Sequence, residues 1–362
     1  MREAMSVDVP AARGRGSRSN ASGRYESRKA ETFDDGWTAR DRPASPLRTT
    51  VTAEKARRIV TRNDSPDVGF DRSINPYRGC EHGCIYCYAR PAHAWVGLSP
   101  GLDFESRIFF KPDAARLLAR ELSKPGYLPG PIHIGGNTDP YQPCERDLRV
   151  TREILEVMAR FHHPLSIITK SALIARDLDI LGPMAQAGLV RAAVSVTTLD
   201  RRLARTMEPR AATPERRLGA VRALADAGVP TVAMVAPVIP GLNDHELEAV
   251  LARAAEAGAM SAGYVALRLP LEIKELFHEW LADNVPDRAT RVMSLVRQIR
   301  GGRDYDAQWG KRMKGEGPIA DLIGRRFKIA RRRLGLDRTL PPLDTTQFRV
   351  PCAAGDQMEL FA

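Results

Sequence analysis

Five runs poor in charge, at residues 132–135, 165–169, 192–198, 231–238 and 264–269, recur along the chain with polar, helix-like stretches between them. A parallel strand covered on both faces needs a run of that kind, because neither face meets water. The stretches between them carry a helical period. Residues 150–161 put Val150, Ile154, Leu155, Met158 and Phe161 on one side, and residues 113–122, introduced by Pro112, do the same with Leu117, Leu118 and Leu122. Thr213 and Asn243 or Asp244 stand where helix N-caps belong, with Pro214 at a first helical position. Alternation of this sort means parallel strands joined by crossover helices. With roughly six such units, the simplest closure for this α/β chain is a partial or complete (β/α) barrel, although length alone leaves a doubly wound sheet open.

A chain of 362 residues suits one barrel-sized catalytic domain with extensions. Residues 65–300 are the expected barrel core. Residues 1–64 are rich in Arg, Ser, Gly and Asp and include the run Ala12-Arg13-Gly14-Arg15-Gly16-Ser17-Arg18-Ser19, which predicts a mostly disordered basic extension. Residues 301–340 form a basic helical C-terminal extension, and residues 341–362 a flexible tail. The net charge is +11, and residues 297–338 alone carry thirteen Lys or Arg against five Asp or Glu. A basic surface so concentrated is the electrostatic footprint of a protein that meets nucleic acid; its plainer explanation is a solvated arginine-rich helix. Arg325, Arg326, Arg331 and Arg332 are the candidate phosphate contacts.

The five cysteines are an odd number, and Cys144 and Cys352 stand far apart, which argues against a secreted disulfide framework. No apolar leader and no stretch of about 18 apolar residues occurs, so neither export nor membrane spanning is expected. A soluble cytoplasmic protein is the expectation.

The remaining three cysteines, Cys80, Cys84 and Cys87, lie in Gly79-Cys80-Glu81-His82-Gly83-Cys84-Ile85-Tyr86-Cys87-Tyr88, a C-x3-C-x2-C spacing. Three thiolates this close in sequence can wrap one cubic 4Fe-4S cluster and leave its fourth iron without a protein ligand. The alternative is zinc, with His82 completing a Cys3His set in a non-catalytic nucleic-acid-binding protein. Zinc sites usually join two separated ligand pairs, and no second pair exists here.

The loop resembles the cluster loop of the radical S-adenosylmethionine superfamily, and its Tyr-Cys-Tyr ending resembles the branch that contains spore photoproduct lyase. The resemblance implies a barrel fold, a 4Fe-4S cluster on Cys80, Cys84 and Cys87, and S-adenosyl-L-methionine chelating the open iron. It also implies an external one-electron reductant, release of a 5'-deoxyadenosyl radical, and hydrogen abstraction from a substrate, with DNA and a lyase-like repair reaction as the expected case and an RNA modification as the alternative.

Function in such barrels collects at the C-terminal strand ends, and the resemblance assigns roles to residues there. Gly135 and Gly136 would let backbone approach the methionine amino group, with Asn137, Thr138 and Asp139 where the family usually has an acidic ending. Lys170 suits the methionine carboxylate, Ser195 the ribose or the same carboxylate, and Tyr86 would lie against the adenine, with Val238 and Ile239 as an apolar wall. Glu208-Pro209-Arg210 is a candidate charged clasp. The branch uses a cysteine as hydrogen donor, but residues 135–139 contain none. Cys144 and Tyr88 are the candidate donors in its place, followed by Tyr77, Tyr141 and Tyr305. Finally, Gln357-Met358-Glu359-Leu360-Phe361 resembles the peptide by which bacterial repair proteins dock on the replication sliding clamp. Gln357 would fill one subsite, and Leu360 and Phe361 an apolar pocket.

Overall fold

The computed structural model describes residues 14–26 and 47–351. Six parallel strands form the core sheet: β1 Arg72–Ile74, β2 Ile132–Ile134, β3 Leu165–Thr169, β4 Val190–Ser195, β5 Thr231–Val238 and β6 Ser261–Ala266. They pair in sequential order, and the strand Val60–Arg62 adds antiparallel to β1 at one edge. Crossovers are made by α1 Ala114–Leu122, α2 Val150–Arg160, α3 Leu178–Gln186, α4 Pro214–Asp226 and α5 Leu247–Glu256. Sequential order with a helix at every crossover winds the sheet one way, toward a barrel. Among the described residues β6 and Val60–Arg62 are the two edge strands and do not pair with each other, β6 meeting only single bonds from Met313, Leu336 and Asp337, so the barrel is the partial form.

The elements form where burial requires them. Leu165, Ile167 and Thr169 of β3 are buried while Ser166 and Ile168 between them are half-buried, as a strand between two helical layers demands. Their partners under the helices are Ile154, Leu155 and Met158 of α2, Val221 and Leu224 of α4, and Val250 and Leu251 of α5. Thr213 caps α4 as its sequence implies, accepting the Arg216 N–H with Pro214 at the first turn. Asn243 and Asp244 do not cap α5, which starts only at Leu247; their side chains accept the Ile239 and Gly241 N–H groups and fold the loop after β5. The run at 264–269 forms a strand three residues early, from Ser261.

A second core lies at the strand ends. There α6 Ile273–Asn284 and α7 Pro286–Gln298 pack Phe277, Trp280 and Val292 against Ile85 and Tyr86 of the cysteine loop and Ile239 and Leu242 beyond β5. Helix α8, Pro318–Arg333, covers α5 and β6, burying Ile323, Phe327 and Ala330. It is the basic C-terminal helix expected at 301–340. None of the described helices is long and apolar enough to cross a membrane.

Both expected extensions are shorter than the sequence implies. Residues 47–64 contribute Thr50–Ala53, parallel to Arg107–Phe110, and Val60–Arg62 of the main sheet. Residues 14–26 pack across the cysteine loop, because Arg15 and Ser17 find buried partners there. At the other end Phe348 lies against Tyr127 and Phe161, and Arg349 N–H donates to Phe161 O, so the tail is packed as far as Arg349. Cys352, Gln357, Leu360 and Phe361 lie outside the described residues.

Candidate cofactor site

The cysteine loop leaves the C-terminal side of β1, turns at Gly79 and again at Gly83. Both glycines have positive φ, +79° and +66°, and a Cβ on Gly83 would lie 2.6 Å from Glu105 Oε2. Only glycine fits these turns. Cys80 N–H donates to Phe104 O at 2.9 Å and Ile85 N–H to Met207 O at 3.0 Å, which anchors the loop on both sides. Arg90, fully buried, donates to Cys84 O at 2.9 Å and Gly83 O at 3.0 Å and pairs with the buried Glu105 at 2.5 Å. The loop is therefore held by its backbone amides and carbonyls, and its three thiols are left for a ligand.

Cys80 and Cys84 are buried and Cys87 is half-buried. Burial pushes all three thiols up, helped by the Asp139 carboxylate at Cys80 and the Glu208 carboxylate at Cys84; Lys170 acts in the opposite sense on Cys84 and Cys87. Neighbouring protonated thiols, with a lysine beside two of them, suit a cationic iron cluster that replaces the protons on binding. His82, the fourth ligand of the zinc alternative, turns its Nδ1 to Asp139 at 3.3 Å. Among the described residues no three His, Cys, Asp or Glu side chains, the loop cysteines included, are set around one ion position.

Asp139 is the node that sequence reading left in the background. It accepts Thr169 Oγ1–H at 2.7 Å, Lys170 N–H at 2.7 Å and Tyr141 N–H at 2.9 Å. Burial alone would raise its carboxyl, yet His82, Thr169 and the Lys170 amide outweigh it and hold the group down at about 2. One carboxylate thus ties the cysteine loop to the ends of β2 and β3. Gly135 beside it has φ +91°, and a Cβ there would strike Ile168 O at 2.7 Å. Asn137 and Thr138 are braced by Asn75, whose Oδ1 accepts the Asn137 N–H at 2.8 Å, and Thr138 Oγ1–H donates to Tyr77 O. Thr138 is therefore committed to the fold.

The two tyrosines flanking Cys87 reach different walls. Tyr86 O–H donates to Glu208, which also accepts Thr197 Oγ1–H at 2.7 Å and pairs with the buried Arg217. Lys170 Nζ stands 5.8 Å from the Tyr86 ring centroid, and Arg217 reaches Ser195 O at 3.3 Å. Lys170 thus lies beside Tyr86, and the Ser195 carbonyl is tied through Arg217 to the Glu208 that holds the Tyr86 hydroxyl. The charged clasp divides: Glu208 serves Tyr86 and Arg217, while Arg210 pairs with Glu81 at 3.1 Å. Tyr88 O–H donates to Gly136 O, and its ring lies 4.9 Å from the Arg268 guanidinium.

Arg268 is the second residue the sequence concealed. Its Nε is buried without a partner, and its remaining nitrogens meet only Met313 Sδ at 3.7 Å and Tyr305 Oη at 3.5 Å. Among the described residues no carboxylate pairs with it. Cys144 instead starts the short helix Glu145–Leu148 and packs against the main core, where burial, Glu81 and Glu145 push its thiol up. Tyr141 is fully buried, and Tyr77 O–H is taken by Glu145. On α8, Arg326 is paired with Glu248 at 2.7 Å and Arg331 with Leu336 O at 2.9 Å, whereas Arg325 and Arg332 are exposed.

A family model described as Radical SAM superfamily matches residues 74–254. An uncharacterized protein of Mycobacterium tuberculosis is 37% identical over 231 residues, 63% of this chain and 68% of that protein. An uncharacterized protein of Methanocaldococcus jannaschii is 29% identical over 192 residues, 53% of this chain and 69% of its own length. Among solved structures, a single-site mutant of spore photoproduct lyase superposes with TM-score 0.57 at 15% identity, covering 79% of this chain and 80% of the other. The same lyase complexed with dinucleoside spore photoproduct gives TM-score 0.56 at 16% identity, covering 78% and 79%. At such identities the likeness concerns the fold.

Proposed function

Because this chain belongs to the radical SAM superfamily, we propose that Cys80, Cys84 and Cys87 hold a 4Fe-4S cluster, that S-adenosylmethionine is the co-substrate, and that the substrate is a nucleobase or sugar of DNA. When bound, the cluster and S-adenosylmethionine supply, after reduction by an external one-electron donor, a 5'-deoxyadenosyl radical. Lys170 offers its ammonium to the carboxylate of the co-substrate, beside the thiols it already polarises. Asp139 orients that lysine through its amide, and the Tyr86 ring, fixed by Glu208, gives the adenosyl group a flat apolar wall. The observation that carries this reading is Cys84 and Cys87 beside Lys170, with Cys80 coupled to both.

DNA as substrate class rests on two supports. The lyase of like fold is complexed with a dinucleoside photoproduct, and Arg268 brings a cation without a carboxylate partner to the mouth, next to Tyr88. An arginine of that kind suits a phosphodiester.

Anaerobic reconstitution tests the reading. The chain is expected to bind about four iron atoms, and with reductant and S-adenosylmethionine to release 5'-deoxyadenosine, faster when ultraviolet-damaged DNA is added than with intact DNA. Cys80→Ala, Cys84→Ala and Cys87→Ala should each lose the iron, and Cys144→Ala should keep it. Loss of metal on His82→Ala as complete as on the cysteine changes would overturn the three-thiolate assignment. Equal 5'-deoxyadenosine with and without DNA would overturn the substrate class.

A further inference from the structure

The run Gly14-Arg15-Gly16-Ser17-Arg18-Ser19, whose composition reads as a solvated tail, is built into the cofactor site. The Gly16 and Ser17 N–H groups donate to the two oxygens of Glu105, each at 2.8 Å. Arg15 donates to Glu105 O at 2.6 Å, Leu47 O at 2.7 Å and Thr49 Oγ1 at 2.9 Å. Glu105 is the same buried carboxylate that pairs with Arg90, and Arg90 holds the carbonyls of Gly83 and Cys84. A single acid therefore joins the arm to the cysteine loop. The two backbones also touch directly, since a Cβ on Gly16 would lie 1.8 Å from Gly83 O, and one on Gly101 would lie 2.1 Å from Ser19 O. Farther out, Arg18 pairs with Asp283 at 2.5 Å and Arg24 with Glu272 at 2.8 Å, so the arm bridges the loop to α6.

A tail held by charge alone would lie on the surface and keep its amides in water. This one buries Ser17 to 2% exposure and Arg15 to 9% and spends consecutive backbone amides on a buried carboxylate. The contact falls on Gly83, the turn between the first and second cysteines. We propose that residues 14–26 are a positioning segment of the cluster site: by packing Gly16 on the Gly83 turn and sharing Glu105 with Arg90, they hold Cys80, Cys84 and Cys87 in the arrangement that accepts the cluster. The inference rests on the cluster reading above, but its mechanical part concerns the thiols themselves and is measurable without iron.

The test uses the full-length, reduced, metal-free chain. Site-resolved alkylation should find Cys80 and Cys84 slow in the unaltered protein. Gly16→Val, which cannot approach Gly83, should raise their rate about tenfold, the scale of a local opening, while Cys144 stays unchanged and the melting temperature moves by only a few degrees. Upon reconstitution the same variant should take up iron more slowly. Hydrogen exchange on the unaltered chain gives a second arm that needs no variant, with the Gly16 and Ser17 amides protected to the same degree as those of Cys80 and Ile85. Alkylation of Gly16→Val at the unaltered rate, or arm amides exchanging a hundredfold faster than the loop amides, would overturn the proposal. Failure of the unaltered chain to bind iron would instead sink the cluster reading and leave the thiol protection measurable.

Discussion

Two arginine-rich segments of this protein meet opposite fates. The N-terminal arm places Arg15 against two carbonyls and a hydroxyl, at 9% exposure. Helix α8 turns Arg325, Arg332 and Arg333 to solvent and ties Arg326 to the half-exposed Glu248 and Asp244. Arginine density does not distinguish them; the residues between the arginines do. In α8, Ile323, Phe327 and Ala330 recur at helical spacing, so one face is claimed by the core and the arginines fall on the rest. In the arm the spacers are Gly14, Gly16 and Ser17, too small to form a core and small enough to bring backbone amides against a carboxylate. Glycine between arginines therefore marks a segment able to dock by its backbone, whereas apolar residues between arginines mark a helix that docks by its opposite face.

The contrast can be broken at graded depth. Glu105→Ala should do most harm, because it strands Arg90 as a buried unpaired cation and frees the arm, a loss of about 3–5 kcal/mol; chemical denaturation showing a loss below about 1 kcal/mol would mean the pair is not the junction. Acid comes next. Burial holds His93, packed beneath the loop at Gly79, down to about 4, with Nε2–H donating to Arg107 O. Its folded value lies below the unfolded one of about 6.5, so its contribution is full above pH 6.5 and drains as pH falls toward 4, on the order of 3 kcal/mol in all. The stability curve of His93→Gln should lack that one-proton slope. Arg15→Met, which leaves carbonyls and the Thr49 hydroxyl without their donor, should cost about 1–3 kcal/mol in the same denaturation assay. On α8 the analogous change is milder: Arg326→Gln should cost about 0.5–1 kcal/mol, a difference that fades in high salt. The smallest effect on stability belongs to Arg325→Gln with Arg332→Gln, within about 0.5 kcal/mol of the parent. If these two meet DNA phosphates, the slope of log affinity against log salt should flatten by about two units in a filter-binding titration, with an unchanged slope leaving them as surface.

Legibility in the sequence followed how local each cause was. Strands β2 to β5 and helices α1 and α2 were visible because burial on both faces or along one stripe writes itself into consecutive residues. Strand β1, only Arg72–Ile74, is too short to show a pattern, and β6 began ahead of its most apolar stretch. The cysteine loop was legible because its ligands are neighbours in the chain, and Lys170, Tyr86 and Gly135 because strand ends converge. Glu105 and Arg268 were hidden, and Asp139 was visible only as a strand-end residue without its role, since each takes that role from a segment remote in sequence: Gly16 with Arg90, Tyr88 with Met313, and His82 with Thr169 respectively. For the same reason Cys144, promising as the free thiol nearest the glycine pair in sequence, turned out to pack against the main core.

The open side of the barrel is not left to solvent. Between α7 and α8 the chain passes from β6, where Met313 O accepts the Ala266 N–H at 2.8 Å, to the turn after Val60–Arg62, where Asp67 accepts Gly310 N–H at 2.7 Å and Arg312 Nε–H at 2.5 Å. The ring of strands is thus finished on one side by an acid and its two donors instead of a ladder of backbone bonds. A ladder yields only with the sheet, whereas a latch of this kind can release while the sheet keeps every bond it has. Arg268, which meets Met313 Sδ at 3.7 Å and lies against the Tyr88 ring, stands beside that latch and not on the sheet's own ladder. Amide exchange at Gly310 reports on that latch directly, and it should quicken in Asp67→Asn while the amides of β3 and β4 hold their protection.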